Sequence, residues 1–123
     1  MAAFVFAAVV FVAVFVLAAA ADFLVAADLA GAPARAGEID IVALKGRTLI
    51  AAEVKSFPAG ALTASEALSH AKRRKLVSLI KQYARSHGYV DYSLRVDLIT
   101  VEWNADGKPG RIEHLQSVAT EDA

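Results

Sequence analysis

The first 21 residues, Met1–Ala21, contain no polar side chain; Asp22 is the first. They are almost entirely Ala, Val and Phe. As a helix, such a stretch spans about 30 Å, the thickness of a bilayer core. Its Phe, Val and Leu side chains favour insertion by roughly 3–6 kcal/mol. The run therefore reads as a transmembrane helix. A cleaved signal peptide ending in the small residues Ala18–Ala21, a buried core element and a mis-started N-terminus are the competing readings. A signal peptide is disfavoured by the absence of a basic flank before the run. The run also raises the hydrophobic fraction to 57% and mean hydropathy to +0.47, above the usual soluble range. Gly31-Ala32-Pro33-Ala34 breaks structure, so residues 22–36 read as a linker.

Net charge is zero, with 13 basic and 13 acidic residues, but the two halves differ. Asp22 and Asp28 are the only charged side chains before Arg35. All Lys and Arg lie C-terminal to the apolar run, which favours a cytoplasmic C-terminal domain tethered to the inner membrane. There is no cysteine, which excludes disulfides, thiolate metal sites and Cys nucleophiles. Walker A, dinucleotide-binding and nucleophile-elbow patterns are also absent.

From Glu38 onward the chain reads as strand, strand, helix, strand, strand. Glu38–Leu44 and Thr48–Lys55 alternate like half-buried strands around a Lys45-Gly46 turn. Residues 56–65 read as loop. Ser69 can cap a helix running to His87, with Gly88 just past its end and Leu76, Ile80, Tyr83 and Ala84 facing inward. Leu94–Glu102 and Arg111–Leu115 read as the last two strands, with a tail over 119–123. This order predicts an α/β fold: a mixed sheet with a helix crossing over it.

Glu53 and Lys55 are two apart on a strand and share one face. With Lys45-Gly46 as a two-residue loop, Leu44 pairs with Arg47. Asp40 then lies opposite Ala51 and diagonal to Glu53, about 7–8 Å away. Two carboxylates at that reach suit a hard cation such as Mg²⁺, with water and substrate phosphate completing its shell. The plain alternative is a set of solvated surface groups. The Lys72, Arg73, Arg74 and Lys75 cluster could meet nucleic-acid phosphates or simply face solvent. Trp103 reads as a packing residue rather than a base-stacking one. His70, His87 and His114 lack metal-ligand spacing and read as surface or cap residues.

Several segments together resemble one family. They are Gly37-Glu38-Ile39-Asp40-Ile41-Val42, Leu49 through Glu53-Val54-Lys55, Glu66-Ala67-Leu68 with the Lys72-Arg73-Arg74 helix, Val96-Asp97-Leu98-Ile99, and Arg111-Ile112-Glu113-His114-Leu115. Their order and spacing are similar to those of the bacterial YraN-like family, from about Gly37 to Val118. The resemblance implies a restriction-endonuclease-like, PD-(D/E)XK fold over residues 37–118, with a mixed central sheet flanked by helices and here preceded by a hydrophobic helix. It also implies a nucleic-acid-binding, Mg²⁺-dependent endonuclease site in which Asp40 and Glu53 hold metal and Lys55 assists catalysis. The chain departs from the family pattern at its start, where the apolar run stands in place of a polar helix carrying an acid, and at Phe57, where a polar or basic residue is usual. The first departure motivates the alternative of a non-catalytic, membrane-tethered protein with an incomplete metal site.

Overall fold

A computed structural model describes residues 23–27, 39–63 and 66–120. The elements follow in the order β1 (Phe23–Ala27), β2 (Ile41–Lys45), β3 (Thr48–Pro58), α1 (His70–His87), β4 (Ser93–Trp103) and β5 (Pro109–Thr120). The five strands form one sheet in sequential order. β3 and β4 are parallel, and the other neighbouring pairs are antiparallel. A parallel pair cannot be closed by a tight turn, and α1 lies in the crossover between β3 and β4. The expected mixed α/β sheet is therefore present.

α1 starts and stops where local chemistry dictates. The Ser69 hydroxyl accepts the Lys72 amide N–H, and Gly88 takes the left-handed conformation (φ 82°) that ends the helix. Leu76, Val77, Ile80 and Ala84 are buried. They pack on a sheet face made by Val42, Leu49, Ala51, Leu94, Val96 and Leu98. Tyr83 is only partly buried at the edge of this layer. The opposite face is also apolar and buried, with Ile41, Ala43, Ile50, Ala52, Val54, Ile99 and Val101 in one cluster. β3 and β4 thus bury side chains on both faces, so Thr48–Lys55 is not the half-buried strand that its alternation suggests: α1 covers one face and a second apolar cluster forms on the other. Trp103 packs against this second cluster.

Several boundaries differ from the sequence reading. β3 continues through Pro58 because each residue to Pro58 keeps its partner on β4, ending at Pro58↔Trp103. β5 runs from Pro109 to Thr120 rather than over five residues. Phe23–Ala27, within the stretch read as linker, pairs with β2 and gives that strand's outer edge a hydrogen-bonding partner. The apolar run over residues 1–21 lies outside the described residues. Among the described residues no helix is long and apolar enough to cross a membrane.

Candidate metal and nucleic-acid site

The β2–β3 turn decides the site. Lys45 pairs with Thr48, so the two-residue loop is Gly46-Arg47 rather than Lys45-Gly46. Gly46 carries the positive φ (57°) that such a turn needs. The pairing ends at Ile41↔Ala52, and carrying its register one residue past the end of β2 sets Asp40 against Glu53 instead of diagonal to it. Directly opposite residues in an antiparallel pair sit about 4.5–5.5 Å apart, closer than the diagonal geometry expected. Both side chains leave the sheet on the α1 side, the face shared by Val42, Leu49 and Ala51.

Asp40 and Glu53 are 6% and 4% exposed, so they are not solvated surface groups. The Asp40 Oδ2 accepts the Val54 amide N–H at 2.9 Å. Burial, the hydrogen bond with Glu53 and repulsion from its charge push the Asp40 carboxyl up to about 7. The Val54 amide and the Lys72 ammonium act in the opposite direction. Glu53 Oε2 is buried and has no hydrogen-bond partner. Its nearest cation is the Lys72 ammonium, 3.4 Å away and one third exposed. At that distance the contact is an ion pair without hydrogen-bond geometry.

Lys55 follows Glu53 on the same face of β3, half-buried and opposite the buried Thr100 of β4. Beyond it, toward the C-terminal ends of β3 and β4, a cavity of about 560 Å³ opens between Phe57, Thr100, Glu102, Arg111, Glu113 and Leu115, with Glu66 on its rim. Three carboxylates there outnumber one guanidinium, and Arg111 is already paired with Glu113.

The four basic residues of α1 do not act as one patch. Arg74 and Lys75 are exposed. Arg73 is partly buried and donates through Nη1 to the Val118 carbonyl at 3.5 Å. Lys72 turns to Glu53. The role of Lys72 was missed in reading the sequence, although a signal existed. Counting back one turn from the inward-facing Leu76 lands on Lys72, which puts it on the sheet-facing side of α1.

A second polar group lies elsewhere on β4. Asp97 is fully buried, and its carboxylate accepts from Arg95 Nε and Nη2 at 3.0 and 3.1 Å, from His114 Nε2 at 2.8 Å and from the Ser117 amide at 3.0 Å. His114 is thus a structural partner rather than a surface residue. His87, by contrast, is exposed, stacks on Tyr83 and contacts the Tyr83 carbonyl near the C-terminal cap of α1, as expected.

Among the described residues no three His, Asp or Glu side chains converge on one point. A cation at this point would have two carboxylates as donors, one with a buried oxygen that lacks a hydrogen bond. That suits a hard cation such as Mg²⁺, which commonly takes one or two protein carboxylates and fills the rest of its shell with water and phosphate oxygens.

The model of Uncharacterised protein family UPF0102 matches residues 18–101, a stretch holding Asp40, Glu53, Lys55 and Lys72. A UPF0102 protein of Porphyromonas gingivalis is 40% identical over 81 residues, which cover 65% of this chain and 59% of that protein. One from Renibacterium salmoninarum is 39% identical over 85 residues, covering 67% and 70%. One from an Arthrobacter species is 41% identical over 83 residues, covering 67% and 70%. The match thus spans less than two thirds of the Porphyromonas protein. With two thirds of the chain matched by the family model and by several relatives, and with the motif residues inside that span, the chain belongs to the UPF0102 family, the YraN-like family that its motifs resemble.

Proposed function

We propose that this protein is a divalent-metal-dependent nuclease of the restriction-endonuclease-like kind, hydrolysing phosphodiester bonds in nucleic acid. The observation that carries this reading is the pair of buried, directly opposed carboxylates, Asp40 and Glu53, with Glu53 Oε2 lacking a hydrogen bond. A buried carboxylate oxygen without a hydrogen bond is costly unless something charged completes it. A bound divalent cation supplies Lewis-acid stabilisation of the charge that develops on phosphate oxygens.

The chain's own residues divide the remaining work. Asp40 and Glu53 hold the cation, and the Val54 amide fixes the orientation of Asp40. Lys55, on the same face and less buried, lies where an ammonium can orient the attacking water and offset the negative charge of the reacting phosphate. Hydrolysis adds water across a P–O bond: the water loses a proton and the leaving oxygen gains one. The acid-rich cavity beyond Lys55 repels a phosphate backbone. Arg74 and Lys75 on exposed α1 attract it, so the strand enters from the helix side.

The test is a cleavage assay with Mg²⁺ or Mn²⁺ on duplex and single-stranded DNA and on RNA, comparing the wild type with Glu53→Gln. The variant removes one negative charge at nearly constant shape. Cleavage is expected to fall about a hundredfold or more, with the melting transition retained. Metal-dependent cleavage undiminished in Glu53→Gln would overturn the assignment.

A further inference from the structure

We propose that Lys72 and a divalent cation are alternative occupants of the same carboxylate pocket: the α1 ammonium neutralises Glu53 when no metal is bound and withdraws when a metal arrives. The inference rests on the metal-binding reading of Asp40 and Glu53 and adds a residue to it from another element of the fold.

The geometry is specific. The Lys72 ammonium stands 3.4 Å from Glu53 Oε2, the buried oxygen that no hydrogen bond satisfies. Its charge also acts on the neighbouring Asp40, in the direction that lowers that carboxyl's pKa. Lys55, on the same strand face as Glu53, is not the residue paired with it. A hard cation binds carboxylate oxygens at roughly 2.0–2.6 Å. An ion at that distance from Oε2 and an ammonium at 3.4 Å from the same atom lie within a few ångströms of each other. Two like charges at that separation, in a site screened poorly by water, repel strongly. One of them has to leave.

Lys72 is built to leave. Its side chain is one third exposed, whereas that of Glu53 is 5% exposed. It sits in the first turn of α1, where its backbone is held by the Ser69 cap, so the ammonium can swing on its four-carbon stem without moving the helix. The carboxylates stay fixed in the sheet. The lysine therefore lowers the cost of the buried Glu53 charge when no metal is bound, and it reduces metal affinity by competing for the same oxygen.

Mn²⁺ binding to the full chain tests this without substrate. Electron paramagnetic resonance of free Mn²⁺ at about pH 8, under argon, keeps proton competition for the carboxylates small. Lys72→Met removes the charge and keeps the stem. Lys72→Arg keeps a positive charge. Lys72→Met is expected to bind Mn²⁺ roughly three- to tenfold more tightly than the wild type. Lys72→Arg should stay within about twofold of the wild type, and Glu53→Gln should abolish binding whether or not Lys72 is present. Thermal melts of each variant confirm that a folded protein is being titrated. Equal or weaker Mn²⁺ binding by folded Lys72→Met overturns the competition. Absence of Mn²⁺ binding in the wild type and in Lys72→Met alike overturns the metal reading beneath it.

Discussion

Asp40 is buried beside a second carboxylate at a cost to the fold. Its carboxyl is raised from 3.8 to about 7 by burial and by Glu53. A raised acid means that the native state binds the proton more tightly than the unfolded chain does. The stabilisation from that proton is complete below about pH 4 and is lost as pH rises through about 7. Asn at this position can still accept the Val54 amide but carries no charge. Asp40→Asn is therefore expected to come close to the wild type near pH 4 and to exceed it at pH 8 in metal-free buffer, by up to about 4 kcal/mol. Urea unfolding at the two pH values reads this directly. A pH-independent difference would mean that Asp40 is not the group titrating. The candidate site's residues were legible one by one, since Asp40, Glu53 and Lys55 stand out by motif. Their opposition was not, because moving the two loop residues by one position converts a diagonal pair into a facing one.

At the scale of elements, Asp97 ties β4 to β5. The register between these strands jumps from Val96↔Ala119 to Leu98↔Leu115, leaving an irregular loop of β5 opposite Asp97. Ser117 in that loop has a positive φ of 55°, which a non-glycine residue adopts only when held. The Asp97 carboxylate supplies the hold by accepting the Ser117 amide, while Arg95 pairs with it and His114 Nε2 lies within hydrogen-bond distance of it. Asp97→Ala leaves Arg95 and His114 unpaired and releases the bulge. A loss of about 3–5 kcal/mol is expected in chemical denaturation, with hydrogen exchange fastest along β5. A loss below about 1 kcal/mol would show that the network contributes little. α1 presents the contrasting case. Its start, end and inner face were legible from Ser69, Gly88 and the Leu76–Ile80–Ala84 spacing, because capping and amphipathic periodicity are local.

At the scale of the whole molecule, the acids and exposed bases of the described residues are separated by position along the structure rather than by sheet face, since Phe57, Thr100 and Leu115 of the cavity lie on the same side of the sheet as α1. The acid-lined cavity lies at the C-terminal ends of β3 and β4, whereas Arg74 and Lys75 lie exposed on α1. On the proposed nuclease function, nucleic-acid affinity is expected to come mainly from α1. Arg74→Gln combined with Lys75→Gln should weaken binding across sequences alike and reduce the slope of log K against log salt by about two. Fluorescence anisotropy with a labelled oligonucleotide across a salt series measures it. An unchanged slope would place the phosphate path elsewhere. Both faces of the central strands are buried, so the sheet is a rigid frame on which the carboxylates sit.

The amino-acid sequence alone determined what depends on neighbours along the chain. The strand faces follow from alternation, α1 from its caps and period, the Asp40, Glu53 and Lys55 motif from residue type and order, and the family from the motifs in series. The tertiary structure decided what depends on residues far apart. It set the facing register of Asp40 and Glu53, brought Lys72 onto Glu53 from another element, and joined His114 to Asp97 across two strands. The physical reason is that period and capping are encoded within a few residues. Register, burial and the meeting of charges are settled only when the sheet closes and α1 packs down on it.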